Sequence, residues 1–234
     1  SAPIYPQSGS TLTFSAKSTL PYSYFDGVSD YSTQTAQERY KYLEYYKIKL
    51  SGEWFFPLTT DKKLVLRSRI GFGIMGPYNA SKGLSPFDRF YLGGSGLTGI
   101  NQIGGREVIA VRGYEDNSIS ASSGDPLAAK YTLELRYPIS LNPSATFFVL
   151  AFAEGGNSYP NLKYFNPLNV KRSVGAGLRV FLPMFGMLGI DYGFGFDKLN
   201  PWSSGFNGAS DAGIAEKGYY GKLTFTIGMN LGDL

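Results

Sequence analysis

The stretch VIAVRGYEDNSIS, residues 108–120, sets one arginine, Arg112, among small and apolar residues in a segment that otherwise reads as loop. A guanidinium stays charged, offers five N–H donors in a fixed fork, and is best satisfied by carboxylates. Other chemistry has less material. The chain contains no His and no Cys, which removes Ser-His-Asp and Cys-His nucleophile activation, imidazole acid–base catalysis, thiolate metal sites and disulfides. An enzyme would have to rely on carboxylate, Lys or Tyr side chains, and we expect neither an enzyme nor a cofactor. Asp26, Asp30, Asp61, Asp116 and Asp125 are loop acids, but their spacing fits no calcium loop, so no metal site is expected. The glycines of GFGIMG and GAGLR resemble phosphate loops in composition only; in strands they mark bends or close backbone approach.

The elements that must carry Arg112 are strands. Hydrophobic residues make up 43% of the 234 residues, aromatics 16% and charged residues only 17%, with 30 glycines. That balance suits many strands with small residues at tight places. The net charge of +4 is mild and its Lys and Arg are scattered, so no nucleic-acid partner is expected. No run approaches the roughly 18 apolar residues of a membrane helix. No secretory signal opens the sequence, which does not argue against export.

Alternation of apolar and polar residues dominates the chain. In 10–21, Leu12, Phe14, Ala16 and Leu20 oppose Thr11, Thr13, Ser15 and Lys17; in 219–229, Leu223, Phe225, Ile227 and Met229 oppose Lys222, Thr224 and Thr226. The same pattern recurs at 46–56, 63–72, 130–137, 170–182 and 187–196, while 145–154 is apolar on both faces until Glu154. Aromatic residues at both ends of the 46–56 apolar face resemble an interfacial girdle. Connections alternate between short and long, the longest covering about 74–129. Short turns at one end and long polar loops at the other are the signature of an outer-membrane barrel, with the short turns periplasmic. We therefore expect an all-β, single-domain protein over 1–234: a transmembrane antiparallel β-barrel of about eight strands in an up-and-down meander, with both chain ends in the periplasm. A soluble sandwich or lipocalin-like barrel also alternates, but about eight aromatic-tipped apolar faces would overfill one small core. A Lys or Arg on the lipid face costs roughly 2–4 kcal/mol at midplane, and Lys17, Lys47, Lys49, Arg67, Arg69, Lys130, Arg136, Lys171, Arg179 and Lys222 lie on polar faces.

FDRFYLGGSG (87–96) followed by VRGYEDN (111–117) resembles the BamA family of outer-membrane β-barrel assembly factors. In that family a (V/L)RG(F/Y) loop tip folds back into the barrel lumen; Val111, Arg112, Gly113 and Tyr114 match it. YTLELRYPI (131–139) is similar to the strand that follows, with its inward glutamate at Glu134. FAEGGNSY (152–159) is similar to the F-x-D-x-G strand end, with Glu154 where the family usually has aspartate. Residues 173–197, the closing YYGKLTFTIGMNL and the opening PQSGSTLTFSAKSTLP (6–21) match in order. The resemblance thus covers nearly the whole chain and corresponds to strands 9–16 of a 16-stranded barrel.

The resemblance implies that Arg112 is a clasp pinned to Glu134 and Glu154 on the barrel wall, with Gly113 turning the tip and Tyr114 anchoring it. It implies a seam at the last strand, where Gly218, Gly221, Phe225, Ile227 and Gly228 lie and the glycines would loosen pairing. It further implies folding and insertion of barrel proteins into the bacterial outer membrane by strand addition at that seam. The partners would be unfolded outer-membrane proteins, accessory assembly lipoproteins and outer-membrane lipid. Rival functions are a secretion transporter of the same superfamily and a passive pore or adhesin. Eight strands alone enclose only enough room for side chains. Standing alone, they would either expel the long loop and break the clasp, or self-associate around a larger lumen.

Overall fold

The computed structural model describes residues 4–28, 30–94, 106–142, 144–184, 186–197, 199 and 220–227. It contains ten strands: β1 Gly9–Ser18, β2 Tyr46–Pro57, β3 Val65–Gly76, β4 Phe90–Leu92, β5 Glu107–Ile109, β6 Leu127–Asn142, β7 Ala145–Tyr159, β8 Lys171–Leu182, β9 Gly186–Gly195 and β10 Tyr220–Ile227. Eight of them form one antiparallel meander in the order β1-β2-β3-β6-β7-β8-β9-β10. Among the described residues, helix is limited to one turn at Ala36–Arg39 and two short 3₁₀ turns. The turn at Thr35 is held by a reciprocal capping box with Glu38. No helix of the described residues is long and apolar enough to cross a membrane.

Connections of two to seven residues (58–64, 143–144, 183–185) lie at one end of the meander, and the long ones (19–45, 77–126, 160–170, 196–219) at the other. The outward faces expose Leu12, Phe14, Ile48, Leu50, Ile70, Leu133, Val149, Val174, Ile190, Leu223 and Phe225. The inward faces carry the charged side chains. This is the reverse of a water-soluble barrel, and it follows from having lipid outside and polar groups that must find partners inside.

The strands run longer than their alternation suggested: β6 covers 127–142 and β7 covers 145–159. Their outer ends continue past the lipid band, where inward Ala128, Lys130 and Ser158 are buried against the long loop. The 77–126 connection also has structure of its own, since β4 and β5 pair in parallel with Phe90 opposite Glu107 and Leu92 opposite Ile109. Two cores fill the concave side. One joins Phe90, Leu92, Ile109, Val111, Tyr114 and Ile119 of the loop to Ala128 and Leu199. The other gathers Tyr5, Val65, Phe148, Leu150, Phe152 and Met187 near the short-turn end. Tyr5 is fixed there by donating to the carbonyls of Lys63 (2.7 Å) and Arg136 (2.9 Å).

Expulsion of the loop is thereby corrected. A single chain holds the tip of the 77–126 connection against the inner face, with Arg112 bonded to Glu134 and Glu154. All ten residues of β1 are exposed, on both faces.

Candidate functional site

Glu134 and Glu154 stand on adjacent strands, both facing inward. In the β6–β7 register Glu134 is opposite Phe152, and Glu154 is opposite Thr132, so the two carboxylates are diagonal neighbours with the Phe152 ring between them. Arg112 descends onto this arrangement. Its Cζ lies 3.6 Å from the centroid of the Phe152 ring, and Nη2 donates to Glu134 Oε1 at 2.8 Å and to Glu154 Oε1 at 2.7 Å. The Arg112 backbone N–H adds a third bond, to Glu154 Oε2 at 2.9 Å. The extra methylene of glutamate lets one carboxylate reach both the side chain and the main chain of the tip. Arg112 is only 2% exposed. Few charges are buried so deeply unless paired and hydrogen-bonded as this one is.

A second tier surrounds the first. Glu134 Oε2 also accepts from Arg136 (2.6 and 2.9 Å) and from Arg67 (3.1 Å), and Arg67 continues to Glu53 at 2.5 Å. Lys130 stands 3.5 Å from Glu154. On β8 and β9, Arg179 binds Asp191 bidentately at 2.8 and 2.7 Å, and Asp191 lies 3.5 Å from Arg112 Nη1. The reading of the sequence missed Asp191 and Arg179 as members of this site. The signal that identifies them is their glycine partners: Gly177 is opposite Asp191 and Gly189 is opposite Arg179. A Cβ on Gly189 would come within 2.9 Å of Arg179 Nη1, so the glycines clear the diagonal on which the ion pair lies.

The tip itself is packed backbone to backbone. Gly113 has φ +93°, which an L side chain rarely adopts, and a Cβ there would meet the Gly195 nitrogen at 2.8 Å. Tyr114 is fully buried, its ring filling the space over Gly195, where a Cβ would approach it to 2.7 Å. Its hydroxyl donates to the Arg172 carbonyl at 2.7 Å and accepts from the Asp197 N–H at 3.2 Å. Asp197 in turn takes a bidentate pair from Arg172 at 2.7 and 2.9 Å, which holds its carboxyl below the usual range. Val111, the first residue of the motif, is buried in the loop core.

The rest of the loop is tied to other strands. Lys47 and Lys49 of β2 reach Glu107 of β5 at 2.5 and 2.7 Å, and Lys47 also donates to the Asp88 carbonyl and lies 4.3 Å from the Phe90 ring centroid. Lys17 of β1 binds Asp88 at 2.6 Å. At the far end of the sheet, Lys222 of β10 binds Glu115 at 2.7 Å, one residue past the tip. The loop therefore crosses the concave face and contacts both terminal strands.

Of the seam residues expected on the last strand, Gly221, Phe225 and Ile227 lie on β10, paired with Phe194, Ile190 and Leu188 of β9. Gly218 and Gly228 lie outside the described residues. The loop acid Asp125 serves a structural purpose, accepting from Ser158 Oγ at 2.5 Å and from the Ala121 N–H at 3.0 Å.

The fold is similar to the crystal structure of BamA from Haemophilus ducreyi lacking POTRA domains 1–3, with a TM-score of 0.58 and 20% identity, over 83% of this chain and 36% of that one. Among curated proteins, the outer membrane protein assembly factor BamA of Neisseria meningitidis serogroup B is 28% identical over 133 residues, which is 52% of this chain and 15% of that protein. The chain thus spans a minor part of the relatives it matches. The Omp85 superfamily domain matches residues 2–228. With its outward apolar band, its alternating loop lengths and that match, the chain belongs to the Omp85 superfamily of bacterial outer-membrane β-barrels.

Proposed function

We propose that this chain works in outer-membrane protein assembly, folding and inserting β-barrel proteins by strand addition at the seam of its last strand. The observation that carries the reading is the docked loop tip. Arg112, held by Glu134 and Glu154, places Gly113 against β9 and, through Glu115, reaches Lys222 on β10. A loop held this way keeps the closing strand in one position relative to the barrel wall. An incoming strand then adds by backbone hydrogen bonds, which serve any sequence able to adopt the β conformation. Similarity to an assembly factor supports the same reading. The work is scaffolding, with no covalent step and no cofactor. Unfolded outer-membrane proteins are the proposed substrates, and accessory assembly lipoproteins the proposed partners.

Because the chain has no Cys, single cysteines report without background. With Thr224→Cys on β10 in liposomes, a substrate barrel carrying a cysteine in its last strand is expected to form a disulfide adduct with this strand during folding, and not with Thr13→Cys on β1. Equal adducts at both strands, or none at β10 while the substrate folds faster, would contradict strand addition at this seam.

A further inference from the structure

The 160–170 connection does not stand away from the protein. It folds down over the outward face of the sheet, where the Phe165 ring meets Phe72 of β3 (5.4 Å between centroids) and Tyr159 of β7 (5.3 Å) edge-on. Two outward side chains of β7 tie it there: Asn157 donates to the Asn169 carbonyl at 2.7 Å, and Tyr159 donates to the Asn166 carbonyl at 2.6 Å. Between this connection and the sheet lies a groove of about 420 Å³, walled by Leu133, Ala153, Val174, Leu168 and Val170 and floored at Gly155. Gly155 is needed for the fit, since a Cβ there would meet Val170 Cγ2 at 2.9 Å.

This groove opens on the lipid-facing side, continuous with the apolar band of β6 to β8, and it sits at the end bearing the long connections. That end faces the cell exterior in barrels of this kind. The connection also exposes Leu162, Tyr164 and Leu168, the last at 88%. So much exposed apolar surface is costly in water and favourable against hydrocarbon. Lys163 lies in the same connection, and the exposed guanidinium of Arg172 on β8 lines the groove. The acid next to them is Asp197, bound to Arg172. The local charge therefore favours an anion at the head of an apolar slot.

We propose that this groove binds one acyl chain of an outer-leaflet lipid bearing an anionic phosphate head group, with Lys163 and Arg172 drawing the head. A lipid held here lies across β6, β7 and β8, the strands whose inner faces carry Glu134, Glu154 and Arg179.

The test uses the full chain folded into phosphatidylcholine vesicles containing a few per cent of phosphatidylglycerol with a diazirine on one acyl chain, with cross-linked peptides mapped by mass spectrometry. Labelling is expected to concentrate on peptides holding Leu133, Leu168 and Val170, several-fold above those holding the outward Leu12 and Phe14. Ala153→Trp, an outward substitution that fills the slot, is expected to bring this labelling down to the level at Leu12 and Phe14 while circular dichroism stays that of the wild type. Lys163→Gln, or diazirine phosphatidylcholine as the probe, is expected to lower it about twofold or more. Labelling spread evenly over the outward band, or unchanged by Ala153→Trp, would mean ordinary boundary lipid and overturn the site. Equal labelling by the two lipids would overturn the anionic head group. These readouts do not depend on assembly activity.

Discussion

Gly113 and Gly193 face each other without side chains: a Cβ on Gly193 would lie 2.6 Å from the Gly113 nitrogen. The loop tip is thus seated on β9 by main-chain contact, and the ion pairs around Arg112 act on a tip already close to the wall. Gly193→Ala changes no charge but pushes the tip outward. Overpacking of this kind costs about 1–3 kcal/mol, and we expect the urea midpoint of the protein in micelles to fall accordingly, with proteolysis of the 77–126 connection accelerated.

Arg112→Met should cost about 3–5 kcal/mol, because it strands buried carboxylates. The loss falls unevenly. Glu134 keeps Arg136 and Arg67, and Asp191 keeps Arg179, whereas Glu154 keeps no guanidinium, only Lys130 and the Thr132 hydroxyl, each at 3.5 Å, and the backbone N–H of residue 112. Arg112→Met with Glu154→Gln should therefore recover more stability than Arg112→Met with Glu134→Gln. A double-mutant cycle in urea measures the difference directly.

Tyr114→Phe keeps the ring over Gly195 and removes the hydroxyl that joins the Arg172 carbonyl to the Asp197 N–H. Two neutral hydrogen bonds at about 1 kcal/mol each set the scale of the loss. Tyr114→Ala should cost more, by about 3–5 kcal/mol for a buried aromatic. Equal midpoints for the two variants would contradict the packing assigned to the ring.

Acid should loosen the outer connections before the sheet. Burial works against the charge on Glu44, but the Ser23 hydroxyl and N–H and the Lys82 ammonium (3.1 Å) outweigh it and hold the carboxyl below its ordinary value. A carboxyl lowered on folding contributes its full stabilisation above the ordinary glutamate value of about 4.3 and loses it as the pH falls through the lowered value. The protection factor of the Ser23 amide should hold constant from pH 7 to 5 and fall below that range. Glu44→Gln should start lower and vary less with pH.

Much of this was legible in the sequence because lipid outside and charge inside impose a period of two on every spanning strand. Alternation marked seven of the eight sheet strands, and it set Glu134 on the polar face of 130–137. Segment 145–154 hid its facing for a physical reason: Phe148, Leu150 and Phe152 point inward yet are apolar, since they pack on Tyr5 and Met187. Nothing local marks that contact, which joins residues far apart in the chain. The three-residue strands β4 and β5 were equally hidden, being too short for a period and dependent on the wall beneath them. Asp191 and Arg179 needed the β8–β9 register before their diagonal pairing could be seen.

The most direct test of the docked loop as the working part is the folding rate of a second, urea-unfolded barrel protein in liposomes, with this chain absent, present, or carrying Arg112→Met alone or together with Glu154→Gln. The wild-type chain should accelerate folding, Arg112→Met should bring the rate near that of empty liposomes, and the double variant should recover part of it. A folded Arg112→Met protein, with its loop shown by proteolysis to be displaced, that accelerates folding as well as the wild type would contradict the account.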